Sequence, residues 1–300
     1  MEKPLVSVIT ITRNRCELIG RCISSILAQT YTNIEHIVVD GASTDETEKV
    51  CRQFTEKDSR FHYLRLETNE SIPQTIMKGF AISKGDYVTF LDDDDEYLPT
   101  KIEKQVNKFS QLSSDYGMVY CWMTYYDSLT GAKLREHSPR LRGNVYRETL
   151  KEPSLTGTPT YMIRRNVFEQ SGGWRDRGIV SDWELAIRIC KSWKVDYVEE
   201  SLIKIYENHS GQRMSDPGYY SNVADKYIMF YEYLLSEHKD SFDKNPQDRR
   251  FHLLNLSKMY LLKRDFKHFR NRFYELMRIE PSLRNLMIIP QYYLKSFKVK

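Results

Sequence analysis

The chain has 300 residues, 40% of them apolar and 29% charged, an ordinary globular mix that excludes a disordered or fibrous protein. No stretch approaches the ~20 consecutive apolar residues of a membrane span, and Met1-Glu2-Lys3-Pro4 lacks a basic leader, so neither a spanning helix nor a signal peptide is expected. The net charge of +4 is unevenly spread: residues 251–300 carry eleven Lys or Arg against three carboxylates, a net +8, which leaves −4 for the first 250. Five cysteines with no Cys-x-x-Cys pair read as reduced thiols of a cytoplasmic protein, not as a disulfide framework or a zinc site.

Leu5–Thr12 is a short β-branched run suited to a buried strand. Asn14 is placed to cap the next helix, whose apolar stripe is Leu18, Ile19, Cys22, Ile23, Ile26 and Leu27. Ile34–Asp40 is a second strand, and Ser43 with Glu46 has the spacing of a capping box for a second helix. Phe61–Leu66 is a third strand, followed by a helix opened by Ser71, Pro73 and Gln74 and closed by Gly85. Asp86–Leu91 is a fourth, running into Asp92-Asp93-Asp94-Asp95. Further on, Met118–Asp127, Thr158–Ile163 and Leu202–Tyr206 read as strands, and Ser181 with Glu184 opens a helix striped by Leu185, Ile187, Ile189 and Cys190. From about Pro217 the pattern is helical, which divides the chain into 1–215 and a basic extension over 216–300.

Alternating strands and helices imply an α/β fold: a mainly parallel sheet with helices on both faces, plus the helical C-terminal extension. Such sheets bind ligands beyond the carboxyl ends of their strands. Three polar clusters fall there: Thr12-Arg13-Asn14, Asp40-Gly41-Ala42-Ser43 and the four aspartates. Consecutive carboxylates repel one another, and a hard divalent cation relieves this, Mg²⁺ or Mn²⁺ taking one or two carboxylates plus phosphate and water oxygens. An extended chain would point Asp92 and Asp94 one way and Asp93 and Asp95 the other. A solvated acidic turn would look the same locally.

Taken together, Val6–Ile9 with Asn14-Arg15, Ser25–Tyr31, Val38–Asp45, Gly85–Asp95 and Gly172-Gly173-Trp174 followed by Ser181–Leu185 resemble family 2 glycosyltransferases of the GT-A (Rossmann-like) fold over roughly residues 5–210. The resemblance implies metal-dependent, inverting transfer of a sugar from a nucleoside-diphosphate sugar to a hydroxyl of a glycan or lipid-linked saccharide, in bacterial surface polysaccharide synthesis. Asp94 would then sit on Mn²⁺ or Mg²⁺, Asp92 or Asp93 would hold the ribose or sugar, and Asp182 would be the general base. His209 is a further metal or diphosphate ligand on this reading, and Trp174 borders the acceptor. A carboxylate in the first turn of a helix is also stabilised by the helix dipole, which lowers its pKa, so Asp182 needs partial desolvation as a counterweight.

The chain departs from the family pattern in four places. Ile11-Thr12-Arg13-Asn14 replaces the family's aromatic turn, leaving Ile11 beside the base and Arg13 to stack on it or reach a phosphate. Gly41 replaces a second aspartate, so Asp40 is the carboxylate left to read the base, with uridine the expected donor nucleotide. Met77 stands near a common asparagine, with Lys78 as a phosphate contact, and Ser181 replaces the acidic neighbour of the base. Two other readings share the sheet: a sugar nucleotidyltransferase, which should carry a glycine-rich phosphate loop that Thr12–Arg15 lacks, and a non-catalytic nucleotide-binding module.

The extension alternates apolar and basic side chains. It reads either as an appendage packed on the rest of the protein or as a peripheral contact with an anionic membrane on the cytoplasmic side. No nucleic-acid recognition motif accompanies the charge, so nucleic acid is not an expected partner.

Overall fold

The computed structural model describes residues 3–155, 157–177, 181–207 and 223–296. They divide into two compact units: one of Met1–Tyr146, Leu155–Asp176 and Ser181–His209, the other of Arg147–Ser154, Arg177–Val180 and Ser210–Lys300. Where the sequence suggests one cut near 215, the second unit also takes in two short segments from the middle of the chain.

The first unit is built on one mixed sheet. Its strands are β1 (Val6–Thr12), β2 (Ile34–Asp40), β3 (Phe61–Arg65), β4 (Tyr87–Phe90), β5 (Glu96–Tyr97), β6 (Tyr116–Asp127), β7 (Lys133–His137), β8 (Met162–Arg164) and β9 (Lys194–Glu207). The order is β3-β2-β1-β4-β8-β6-β9-β5, with β7 paired to β6. β1 to β4 are mutually parallel as expected, but β8 pairs antiparallel to both β4 and β6, so the parallel pattern ends at β4 and resumes only between β6 and β9. The expected strand over Thr158–Ile163 begins instead as a 3-10 turn, Thr158–Thr160, ahead of β8.

Alternation along each strand divides the core into two layers. Val6 and Val8 of β1 pack with α1 (Ile19–Leu27), α2 (Thr47–Thr55) and α4 (Lys101–Ser110) on one face. Ile9 faces the other layer, shared with α3 (Ile72–Ile82), α6 (Arg165–Gln170) and α7 (Ser181–Ser192). Because β1 connects to β2 on one side and pairs with β4 on the other, the sheet has a topological switch point between β1 and β4.

Two helix-end expectations change. Asn14 does not cap α1; it sits at φ +53° and its Oδ1 accepts from the Thr44 amide at 2.8 Å, tying one loop to the next. α2 starts at Thr47, with Asp45 Oδ1 accepting its amide at 3.0 Å, because Ser43 is bonded to Asp40 and Asn14 instead. The α3 capping box of Ser71 and Gln74 forms as read, but Ser83, not Gly85, is its C-cap. Gly85 serves a close approach: a Cβ there would lie 2.5 Å from Ser7, whose Oγ accepts the Gly85 amide at 2.8 Å.

In the second unit, α8 (Ala224–Glu237), α11 (Phe266–Ile279) and α13 (Ile288–Ser296) pack on α10 (Arg250–Leu262), with α9 (Lys239–Lys244), α12 (Leu283–Leu286) and α5 (Tyr146–Lys151, in this unit from Arg147) completing the described helices. Leu234, Phe242, Leu253, Leu256 and Leu276 are buried there. Arg264 at φ +57° takes the left-handed position after α10, and Asp265 then caps α11 by accepting the His268 amide.

Each unit buries a neutral histidine. His36 Nε2 lies 3.1 Å from Thr10 Oγ1, and burial pulls its pKa down to about 3. His252 Nε2 lies 2.8 Å from the Leu150 carbonyl, and burial pulls it to about 4. Unfolded histidine takes a proton below about 6.5, so the neutral rings contribute stability above that pH and lose it as the pH falls. Urea unfolding should therefore show stability dropping between about pH 6.5 and 4.5, on the order of 1 kcal/mol per pH unit for each ring. His36→Asn and His252→Asn should each flatten that slope; an unchanged slope in both would refute the assignment.

Candidate active site

The carboxyl ends of β1, β2 and β4 bring the three polar clusters together. Thr12 Oγ1, ending β1, donates to Asp93 Oδ2 at 2.7 Å across the switch point. The Gly41 amide donates to the Thr12 carbonyl at 2.9 Å, and the Asn14 amide to Ser43 Oγ at 2.9 Å. The three loops form one hydrogen-bonded rim.

The aspartates do not alternate along an extended chain. The Asp95 amide donates to the Asp92 carbonyl at 3.2 Å, closing a turn. Asp92 is exposed, Asp93 partly covered, and Asp94 and Asp95 are buried. Burial raises the Asp93 carboxyl to about 7, opposed by the Thr12 hydroxyl and reinforced by the Asp94 charge. Asp95 Oδ1 accepts the Tyr206 amide from β9 at 2.9 Å.

A clamp that sequence reading missed holds this turn. Arg21 of α1 donates from Nη2 to the Asp94 carbonyl at 2.5 Å, and its Nε lies 3.2 Å from Glu96 Oε1. Its guanidinium stacks 3.9 Å from the centre of the Tyr206 ring, whose hydroxyl donates to the same Glu96 oxygen at 2.9 Å. Beneath it, Tyr97 donates to the Phe90 carbonyl at 2.5 Å, and the wholly buried Lys101 donates to Thr89 Oγ1 at 2.6 Å. Burial lowers the Lys101 pKa to about 7. The only sequence signal for Arg21 is a cation in the first turn of the helix, beside its apolar stripe; its partners lie more than seventy positions away.

Other expected residues fall differently. Asp40 is fully buried: Oδ1 accepts the Ser43 amide at 2.8 Å and its hydroxyl at 2.6 Å, and Oδ2 accepts the Tyr63 hydroxyl at 2.5 Å. Ser43 of its own loop and Tyr63 of β3 take up its acceptor positions, which is at odds with the expectation that it reads a base. Arg13 is exposed on the rim, and Ile11 is partly covered, packed against the core. A side chain at Gly41 would meet Asn69 Oδ1 at 2.9 Å, so an unforeseen amide occupies the place left by the missing carboxylate. Lys78 is drawn away to Glu70, 3.0 Å distant, so the structure does not bring it to the aspartates. Met77 accepts the Trp174 amide at Sδ, 3.4 Å away. Trp174 is buried with its ring edge-on to Phe90, not displayed as a stacking surface, and its indole Nε1 has no partner among the described residues. His209 lies outside the described residues.

Asp182, in the first turn of α7, accepts from the Gly157 amide at Oδ2 and the Trp183 amide at Oδ1, both at 2.8 Å. Gly157 is at φ +94°, a backbone state that suits glycine and aims its N–H at the carboxylate. Burial raises the Asp182 pKa above the ordinary carboxylate value, outweighing those two amides. The counterweight the helix terminus calls for is present.

The family model described as glycosyl transferase family 2 matches residues 7–172. The putative teichuronic acid biosynthesis glycosyltransferase TuaG of Bacillus subtilis is 34% identical over 170 residues, 57% of this chain, and the match spans 65% of TuaG's own length. Among solved structures, S. aureus TarS 1-349 in complex with UDP-GlcNAc superposes with a TM-score of 0.61 at 14% identity, covering 98% of this chain and 90% of that one. The mannosyltransferase PcManGT from Pyrobaculum calidifontis in complex with GDP-Man and Mn²⁺ gives a TM-score of 0.59 at 16% identity, covering 99% and 81%. At those identities the likeness is one of fold.

The clamp has a direct test. Arg21→Ala should cost about 1–2 kcal/mol in urea unfolding through the lost carbonyl bond and ring stack. Hydrogen exchange at the Asp95 amide should speed up with it, and Arg21→Lys should restore little because an ammonium cannot reproduce the planar fork. Unaltered exchange in Arg21→Ala would show that the turn holds itself.

Proposed function

The chain belongs to glycosyl transferase family 2, and from that membership we propose that it moves a sugar from a nucleoside-diphosphate sugar to a hydroxyl of a glycan or lipid-linked saccharide. The observation that carries this reading is the Thr12–Asp93 hydrogen bond joining the ends of β1 and β4 beside an acidic turn, at the place where open α/β sheets bind nucleotides. A role in bacterial surface polysaccharide assembly is supported by the similarity to TuaG.

The donor set suits a hard divalent ion. The turn offers carboxylate oxygens, and among the described residues no three His, Cys, Asp or Glu side chains group as a full metal shell. A hard ion held there by one or two carboxylates would be completed by diphosphate and water oxygens. Asp94, with His209, is our assignment for holding Mn²⁺ or Mg²⁺, which when bound supplies charge neutralisation at the departing nucleoside diphosphate. Asp92 and Asp93 are assigned to the ribose or sugar hydroxyls. Arg13 and Ile11 border the base, and the Asn69 amide takes the place of the carboxylate that Gly41 lacks. A uridine donor is the reading we favour, consistent with the UDP-GlcNAc held by TarS; the GDP-Man held by the mannosyltransferase makes guanosine the comparison to run.

On the acceptor side, Asp182 takes the proton of the attacking hydroxyl. The new bond forms at the anomeric carbon as the bond to the diphosphate oxygen breaks, a single displacement that inverts the centre. The two amides on Asp182 fix its orientation, and its burial keeps it basic enough for the task. The buried Trp174 indole N–H is the group we assign to the acceptor's edge.

Thermal-shift measurement with Mn²⁺ and a panel of UDP-, GDP- and dTDP-sugars should show stabilisation by one base class. Asp94→Asn should remove the Mn²⁺-dependent part of that shift. Asp182→Asn should keep donor binding and lower transfer by about 10²–10⁴-fold. Since Asp182 acts deprotonated and burial raises its pKa, kcat/KM should climb with pH through a limb above the ordinary aspartate value of about 4. Transfer that survives Asp182→Asn undiminished, or no stabilisation by any nucleotide sugar, would overturn the proposal.

A further inference from the structure

Several cations of the second unit are held in ion pairs. Lys263 meets Asp225 at 2.8 Å, Arg147 meets Asp248 at 2.7 Å, and Arg250 meets Glu280. Arg272 bridges Glu232 and Glu275, and Tyr260 donates to the same Glu232 at 2.9 Å. The outer face of α11 differs from these sites. Lys267, Arg270 and Arg278 are exposed, and none is in an ion pair with another described residue.

At about 100° per residue, Phe266, Lys267, Arg270, Asn271, Tyr274 and Arg278 fall within one arc of about 140°. The opposite side of the helix carries the buried Leu276. No carboxylate lies within the arc: Glu275 is held by Arg272, and Asp265 is occupied as the helix cap. The same arc exposes large apolar surface, with Phe266 50% and Tyr274 65% accessible. The chain directly beyond α11 adds Leu283 at 82% and Met287 at 65%.

We propose that the outer face of α11 docks the protein on an anionic lipid bilayer. Three cations without an ion-pair partner, Arg278 lying 5.9 Å from the centre of the Tyr274 ring, are spaced between exposed aromatic rings and match the two levels of a membrane surface, phosphate headgroups above and the acyl boundary below. A soluble polyanion would satisfy the same cations but leave the rings, Leu283 and Met287 in water. An apolar protein partner would leave the cations unmatched. The contact is peripheral, because among the described residues no helix is long and apolar enough to cross a membrane. The surface goes beyond the transfer reading and does not depend on it. It also places the contact on α11, upstream of the last twenty residues.

The experiment is co-sedimentation of the full chain with vesicles of phosphatidylcholine alone or with about 30% phosphatidylglycerol. Recovery in the pellet should require the anionic lipid and fall on raising the salt. Each near-surface cation is worth about fivefold in partitioning, so the variant Lys267→Glu, Arg270→Glu, Arg278→Glu should bind on the order of 100-fold more weakly. Phe266→Ser with Tyr274→Ser should weaken binding severalfold while keeping its lipid preference. A comparator with Lys49→Glu, Arg52→Glu and Lys57→Glu makes the same change in net charge on the first unit and should bind as the parent does. Circular dichroism verifies that each variant is folded. Equal recovery with neutral and anionic vesicles, equal losses in the two triple variants, or capture of inorganic polyphosphate without vesicle binding would each overturn the proposal.

Discussion

Carboxylates placed side by side repel, and the first unit is arranged around keeping Asp92–Asp95 in one place in spite of that repulsion. Thr12 meets Asp93 from β1, the Tyr206 amide meets Asp95 from β9, and Arg21 meets the Asp94 carbonyl from α1. Each contact comes from a different element, so the turn is held only once the sheet is assembled. Burial, with the neighbouring Asp94 charge adding to it, pushes the Asp93 carboxyl up to about 7. A site that strains its own ionisation in this way is suited to accepting positive charge from a ligand.

Burial and backbone amides pull Asp182 in opposite directions. Its place in the first turn of α7 and its bonds to Gly157 and Trp183 favour the charged form, while the desolvation of its carboxyl favours the neutral one. Burial prevails, and the amides fix which way the group points. Orientation and basicity thus come from separate features of one pocket, the left-handed Gly157 supplying the first and the packed core the second. Asp40 shows the contrasting outcome: a buried aspartate that receives two bonds from Ser43 and one from Tyr63 of β3 becomes a fixture of the loop.

Much was legible before any coordinates because local signals coincide with the sheet's period. The four leading strands and their helices follow from β-branched runs and apolar stripes, and the parallel order of β1 to β4 follows from the alternation. The helix ends were less legible. Asn14, Ser43 and Glu46 have the composition of caps, yet the first two are used to join loops, because a side chain that can cap can equally well bridge to a neighbouring backbone. The antiparallel insertion of β8 between β4 and β6 has no signal in a three-residue strand.

The amino-acid order by itself determined the two-layered α/β core, the acidic run at the end of the fourth strand and the basic bias of the last fifty residues. These are properties of periodicity and composition, carried by residues within one or two elements of each other. Tertiary structure alone decided that the four aspartates form a turn, that Arg21, Glu96 and Tyr206 lock it, that Asn69 stands over Gly41, and that three cations without an ion-pair partner lie along one side of α11. Those outcomes depend on partners dozens of positions apart, and whether a charge ends up paired, buried or bare is settled only by what the folded chain brings beside it.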